Sequence, residues 1–308
     1  MMTNDLKLDH TIASVPHDRA AWSYDSAFCR NRGLINPAEQ EKLRNSRAAI
    51  AGLGGVGGIH LVTLARLGIG AFHIADPDCF EVVNFNRQYG ATTRSLGQSK
   101  ADVMASEARA INPEVQLRLF AEAIDPDNVD AFLDGVDVFV DGIDFFALQT
   151  RRLLFREARR RGIWAVTAGP IGFSTAWLAF APDGMTFDEY FDLHDGMDPL
   201  EQLAAFTAGV APGGTHLPYI DLTVVDPSSG RAPSAGLACQ LCGGVIGAEV
   251  LKILLGRGDL QAAPWYCQFD PYRRQFRQGR LWWGNRHPMQ RLKRWRLVRV
   301  FRPMFQQQ

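Results

Sequence analysis

The stretch RAAIAGLGGVGGIHLVTLARLGIGAFHIADPD, residues 47–78, decides the fold. Residues 47–51 are a short apolar run of strand length. Gly52-Leu53-Gly54-Gly55-Val56-Gly57-Gly58 is a glycine turn, and 59–67 carries the apolar periodicity of a helix that Gly68 ends. Residues 71–75 read as a second strand, closed by Asp76-Pro77-Asp78. Strand, glycine turn, helix, strand is one βαβ unit, whose two strands lie parallel.

The same alternation continues outward. Helical patterns at 100–111, 126–133 and 148–161 alternate with strand patterns at 115–120, 136–140 and 164–168. The expected fold is α/β: a Rossmann-like doubly wound, mostly parallel sheet with helices on both faces. Beyond Gly172 the pattern changes. Residues 175–180 read as an antiparallel extension, 183–201 carries seven acids and no Lys or Arg, and 202–235 is loop-rich. A helix at 243–256 and a strand at 265–269 close the body. The division that follows is an N-terminal helical arm (1–46), a body (47–270) with an insert at about 183–235, and a basic C-terminal tail (271–308).

Of the 308 residues, 46% are hydrophobic and 21% charged, which excludes a disordered, collagenous or coiled-coil chain. Thirty-three basic residues balance thirty-three acidic ones, so no global field points to a nucleic-acid partner. The balance hides an asymmetry, because residues 271–308 hold eleven Lys and Arg and no acid. The tail pattern suits an anionic membrane or an acidic partner, or the acidic body of its own dimer. The N-terminal residues lack the apolar run of a secretory signal, and no stretch of about 18 unbroken apolar residues occurs. A cytoplasmic protein is expected. Five dispersed cysteines read as reduced thiols.

A glycine turn between strand and helix lets backbone approach a phosphate, and the amides at the helix N-terminus favour its charge. Gly52, Gly54, Gly55 and Gly57 are so placed, with Asp76 positioned to hold a ribose. A nicotinamide-dependent oxidoreductase would use the same device. A triphosphate under attack also needs its charge neutralised. Arg87 in Asn84-Phe85-Asn86-Arg87-Gln88 and Lys100 in Gly97-Gln98-Ser99-Lys100 supply cations. Asp141-Gly142-Ile143-Asp144 brings two carboxylates to the carboxyl edge of the sheet, where one could hold magnesium.

With GLGGVG, DPD, NFNRQ, the G-x-x-K stretch followed by INP, DGID and GGVIGAEVLKILLG on the page, the sequence resembles the ThiF/MoeB family, which includes ubiquitin-activating enzymes. The resemblance covers roughly residues 24–270. It implies ATP-dependent adenylation of a carboxylate, on a protein, peptide or small molecule, with release of pyrophosphate. By resemblance Asp76 binds ribose, Arg87 and Lys100 bind phosphates, Asp78, Asn84 and Asn86 support the nucleotide, and Asp144 holds Mg2+. Arg30, with Arg32 as competitor, matches an arginine that reaches the partner's nucleotide, which implies a homodimer.

Three departures stand out. Phe145 follows Asp144 where the family commonly has Asn. Structural zinc is not expected, because Cys239 and Cys242 form one pair where four ligands are needed. No cysteine lies between Cys79 and Cys239 to carry a thioester, so adenylation without covalent transfer is the leading reading. A non-catalytic nucleotide-binding scaffold is the other alternative.

Overall fold

A computed structural model describes residues 22–221, 224–226 and 232–305. Eight strands form one sheet: β1 Arg47–Ala51, β2 Ala71–Ala75, β3 Gln116–Phe120, β4 Val138–Asp141, β5 Trp164–Ile171, β6 Ser174–Phe180, β7 Trp265–Asp270 and β8 Gln275–Arg280. Their order is β3-β2-β1-β4-β5-β6-β7-β8. The first five are parallel and the last three antiparallel. The α/β expectation holds, antiparallel extension included.

The helices are α1 Tyr24–Ala27, α2 Pro37–Arg44, α3 Gly57–Leu67, α4 Lys100–Ile111, α5 Val129–Phe132, α6 Leu148–Arg160, α7 Phe187–Phe191, α8 Pro199–Val210, α9 Gly236–Leu255 and α10 Pro288–Phe305. Two apolar cores lie on opposite faces of the sheet. One joins Leu61 and Leu64 of α3, Met104 of α4 and Ile246 and Val250 of α9 to Ile50, Phe72 and Ile74. The other joins Phe132, Leu154, Phe155 and Phe206 to Phe139 and Leu178. Full burial of each such side chain contributes about 1.5–3 kcal/mol. With both faces covered, β1 and β2 are almost uniformly apolar.

Several elements differ from the sequence reading. The helix expected at 126–133 shortens to α5, because Asp125 and Asn128 side chains bond their own loop. The loop-rich region opens instead on α8, where Asp198 caps Leu200 and Glu201 and Pro199 takes the first position. The helix expected to start at 243 begins at Gly236. α9 has the length and apolarity of a membrane span, but it packs on α3 and against β5 and β6. The expected boundary at 270 is crossed by the sheet, since β8 pairs with β7 along its whole length. α10 packs on α8, so residues 275–305 are built into the body.

Strand order reverses at the β1/β4 junction, where β1 has a helix connection leaving to one side and β4 to the other. Open α/β sheets bind ligands in the crevice at such a point, outside the carboxyl ends of the strands.

Candidate nucleotide site

The four predicted glycines divide into two pairs. Gly52 has φ +82, and a Cβ there would stand 2.2 Å from the Gly142 carbonyl oxygen; one on Gly57 would stand 1.7 Å from Gly52 O. These two let the ends of β1 and β4 touch, a packing role. Gly54 and Gly55 meet no backbone: a Cβ on Gly54 would lie 3.3 Å from Gln88 Nε2, and one on Gly55 3.4 Å from Cys239 Sγ and 4.0 Å from Arg87 Cδ. The outer glycines thus form a cradle bordered by side chains. No side chain caps the first turn of α3, leaving its amides for an anion.

Asp76 follows β2 and is buried beneath this turn. Its Oδ2 accepts the Leu53 N–H at 2.6 Å and its Oδ1 accepts the Asp78 N–H at 2.9 Å. Burial raises its pKa above the ordinary aspartate value, against the opposing pull of the Leu53 amide and Lys100. Lys100 is 6% exposed, and its Nζ lies 2.9 Å from Asp78 Oδ2. It occupies the first position of α4, after the Ser99 cap. A buried cation there opposes the helix dipole. Stability alone favours an acid at that place, and in this structure Asp78 meets the lysine's charge at the edge of the glycine cradle.

Arg87 stands beside Gly55, with its guanidinium donating to Val83 O and Asn86 Oδ1. Asn84 and Asn86 face the protein. Asn84 Oδ1 accepts the Glu81 N–H, and Asn86 Nδ2 donates to Ser234 O, tying the start of α9 to the Arg87 loop. Gln88 closes the NFNRQ motif. Its amide lies over Gly54, and its buried Oε1 has no partner among the described residues. A buried orphan acceptor beside an open glycine fits a ligand with a donor group.

At the end of β4 the two carboxylates separate. Asp141 is buried, with Oδ2 accepting from Arg151 Nε and Thr167 Oγ1, each at 2.8 Å, and Oδ1 from Ile143 N–H. Arg151 in turn donates to the Ile143 and Phe145 carbonyls. Its guanidinium carbon lies 4.7 Å from the Phe206 ring centre. The network fixes the 141–145 loop and leaves exposed Asp144 with a carboxylate that, among the described residues, accepts only the Phe146 N–H. Phe145, the departure from the family pattern, packs on Phe206 of α8 with centroids 5.0 Å apart.

Arg30 lies elsewhere. The arm that carries it is fastened to the far end of α3 by Tyr24 OH to Gly68 O (2.5 Å) and Asn31 Nδ2 to Leu67 O (3.3 Å). The eleven residues of α3, about 16 Å of helix, separate that end from the glycine turn. The Arg30 side chain is exposed, with no polar partner among the described residues. Cys239 and Cys242 are buried thiols, both raised in pKa by burial, and Cys242 shares a hydrogen bond with Thr175. Among the described residues no group of three or more His, Cys, Asp or Glu could hold a metal. A surface hollow of about 200 Å3, lined by Trp177, Glu249, Lys252 and Cys267, holds none of the predicted site residues.

The chain is similar to several known proteins. The tRNA threonylcarbamoyladenosine dehydratase of Haemophilus influenzae is 32% identical over 153 residues, covering 50% of this chain and 58% of the relative. The chain spans about half the length of the three dehydratase relatives it matches. The sulfur carrier protein adenylyltransferase of Thermus thermophilus is 29% identical over 226 residues, 73% of this chain and 74% of that one. Among solved structures, PaaA superposes with a TM-score of 0.63 at 18% identity, covering 87% of this chain and 77% of that chain, a likeness of fold. The Escherichia coli dehydratase TcdA superposes at 0.56 with 25% identity, covering 75% and 95%. The ThiF family profile matches residues 28–290, nearly all of the described body, and the chain belongs to the ThiF family.

Proposed function

We propose that the chain is an ATP-dependent adenylyltransferase that activates a carboxylate as an acyl-adenylate. The observation that carries this reading is Lys100, a buried cation at the wrong end of a helix, beside a glycine cradle that Arg87 also borders. A nicotinamide site has no use for that pair of cations. In the reaction a carboxylate oxygen attacks the α-phosphorus of ATP, the bond to the bridging oxygen breaks, and pyrophosphate leaves. No proton moves, so the protein's task is positioning and charge stabilisation. Asp76 and Gln88 would hold the nucleoside side, the amides of Gly54 and Gly55 the phosphates. Asp144 would hold Mg2+, which neutralises phosphate charge when bound.

The partner is a carboxylate-bearing protein, peptide or small molecule; relatives named for sulfur carrier proteins support the first. The placement of Arg30 beyond the far end of α3 supports a homodimer in which each arm serves the other nucleotide. We place the reaction in the cytoplasm and, with buried Cys239 and Cys242, without a thioester step. The 183–235 insert, joined to the Asp144 loop through Phe145 and Phe206, would shape the acceptor side.

ATP with Mg2+ should raise the melting temperature of the wild type and not that of Lys100→Ala, while NAD leaves both unchanged. An acyl-AMP trapped from cell extract and identified by mass would name the substrate. Stabilisation by NAD instead of ATP sinks the proposal, and ATP binding with no acyl-AMP or pyrophosphate exchange marks a scaffold.

A further inference from the structure

The C-terminal helix has two faces of different character. Its inner face is docked: Phe301 is buried, Gln290 Nε2 donates to Ala208 O at 2.8 Å, Lys293 Nζ to Pro212 O at 2.8 Å, and Arg294 pairs with Asp192 at 2.5 Å. The acidic segment 183–201 therefore takes one arginine of the basic helix. The outer face is unmatched. Arg291 and Arg296 are exposed and have no ion pair among the described residues, while Met289, Leu292 and Trp295 stand exposed between them. The turn before the helix adds Trp282 and Trp283, 60% and 62% exposed.

We propose that this outer face seats the protein on an anionic phospholipid surface. The chemistry separates a bilayer from other occupants. A second copy of the same patch would set arginine against arginine, because residues 271–308 contain no acid to alternate with. Nucleic acid would engage the arginines and stack on the tryptophans, but it has no use for the aliphatic Met289 and Leu292 at the centre of the face. A bilayer uses every member of the set: the aliphatic side chains enter the headgroup boundary, the indoles sit at that depth, and the arginines meet lipid phosphates. The Arg299 guanidinium lies 3.5 Å from the Trp295 ring centre and that of Arg280 3.6 Å from Trp282, so in each pair cation and indole already stand together. Because the inner face is fastened to α8, the helix presents this surface without unfolding.

The test is flotation of the full chain with vesicles of phosphatidylcholine, with and without phosphatidylglycerol, over a series of salt concentrations. Binding is expected only with phosphatidylglycerol and should weaken as salt rises. Each arginine neutralised should cost about fivefold in partitioning, so the variant carrying Arg291→Gln, Arg296→Gln and Arg299→Gln should lose about a hundredfold. Leu292→Ser with Trp295→Ser keeps the charge and should also release the protein. All these side chains point outward, so the variants should melt at the wild-type temperature; binding lost through misfolding would show there. Binding equal on neutral vesicles, binding unaffected by the variants, or no vesicle binding at all would overturn the proposal. Tight retention of a mixed-sequence RNA that vesicles do not displace would overturn it in favour of nucleic acid.

Discussion

The ends of β2 and β4 carry the same device, one aspartate at the strand terminus and a second two or three residues later, and use it in opposite ways. After β2 the buried Asp76 is held by two backbone amides, and its exposed neighbour Asp78 takes the cation Lys100. After β4 the buried Asp141 takes the cation Arg151, and its exposed neighbour Asp144 takes none among the described residues. The difference assigns the roles. At β4 the buried ion pair is structural, and the outer carboxylate is the one the proposed function assigns to Mg2+. At β2 the ion pair joins a buried lysine to an exposed carboxylate, and under the proposed function a phosphate would compete with Asp78 for that lysine.

Arg151→Met tests the structural side with the largest expected effect. It strands Asp141 in the interior and should cost about 3–5 kcal/mol in urea unfolding. A cost below about 1 kcal/mol would mean the pair is not what fixes the loop. Asp144→Asn tests the functional side: pyrophosphate exchange should fall about a hundredfold with the unfolding midpoint unchanged. Loss of stability instead would place Asp144 beside Asp141.

Asp76→Asn comes next, at about 2 kcal/mol, because one amide oxygen cannot accept both N–H groups. That cost should shrink as pH rises. Burial raises the carboxyl's pKa in the folded state, so its stabilisation is complete below the unfolded value and fades as pH climbs through the folded one. Unfolding measured from pH 3 to neutrality reads this slope, and a cost that grew with pH would mean that Lys100 and the Leu53 amide outweigh burial at Asp76. The smallest effect belongs to Asp78→Asn, whose carboxylate is largely exposed; less than about 1 kcal/mol is expected.

Much of the fold was legible because its signals are local. Apolar runs of strand length, helix periodicity and Gly68 at a helix end act within one or two turns of chain, and the parallel sheet follows. The glycine turn, Arg87 and Lys100 stand out in the sequence as residue types whose chemistry suits a phosphate, and the structure sets Arg87 beside Gly55. The region after Gly172 was harder. α8 is rich in Leu and Ala, which form helices readily, but it is buried on nearly every side, so no amphipathic stripe marks it in the sequence. β8 reads as a basic tail until β7 supplies its hydrogen-bonding partner.

The sequence by itself determined the alternation of strands and helices up to Gly172 and the glycine turn as the place where a phosphate is expected, since both depend on short-range pattern. Only the tertiary structure decided which aspartate of each pair is buried, that Gln88 lies over Gly54, and that Phe145 is a packing residue for α8. Those facts depend on groups 10 to 60 residues apart meeting in space, as Asp141 does with Arg151 and Phe145 with Phe206. Burial sets what a carboxylate or an aromatic ring can do, and burial is a property of the packed whole.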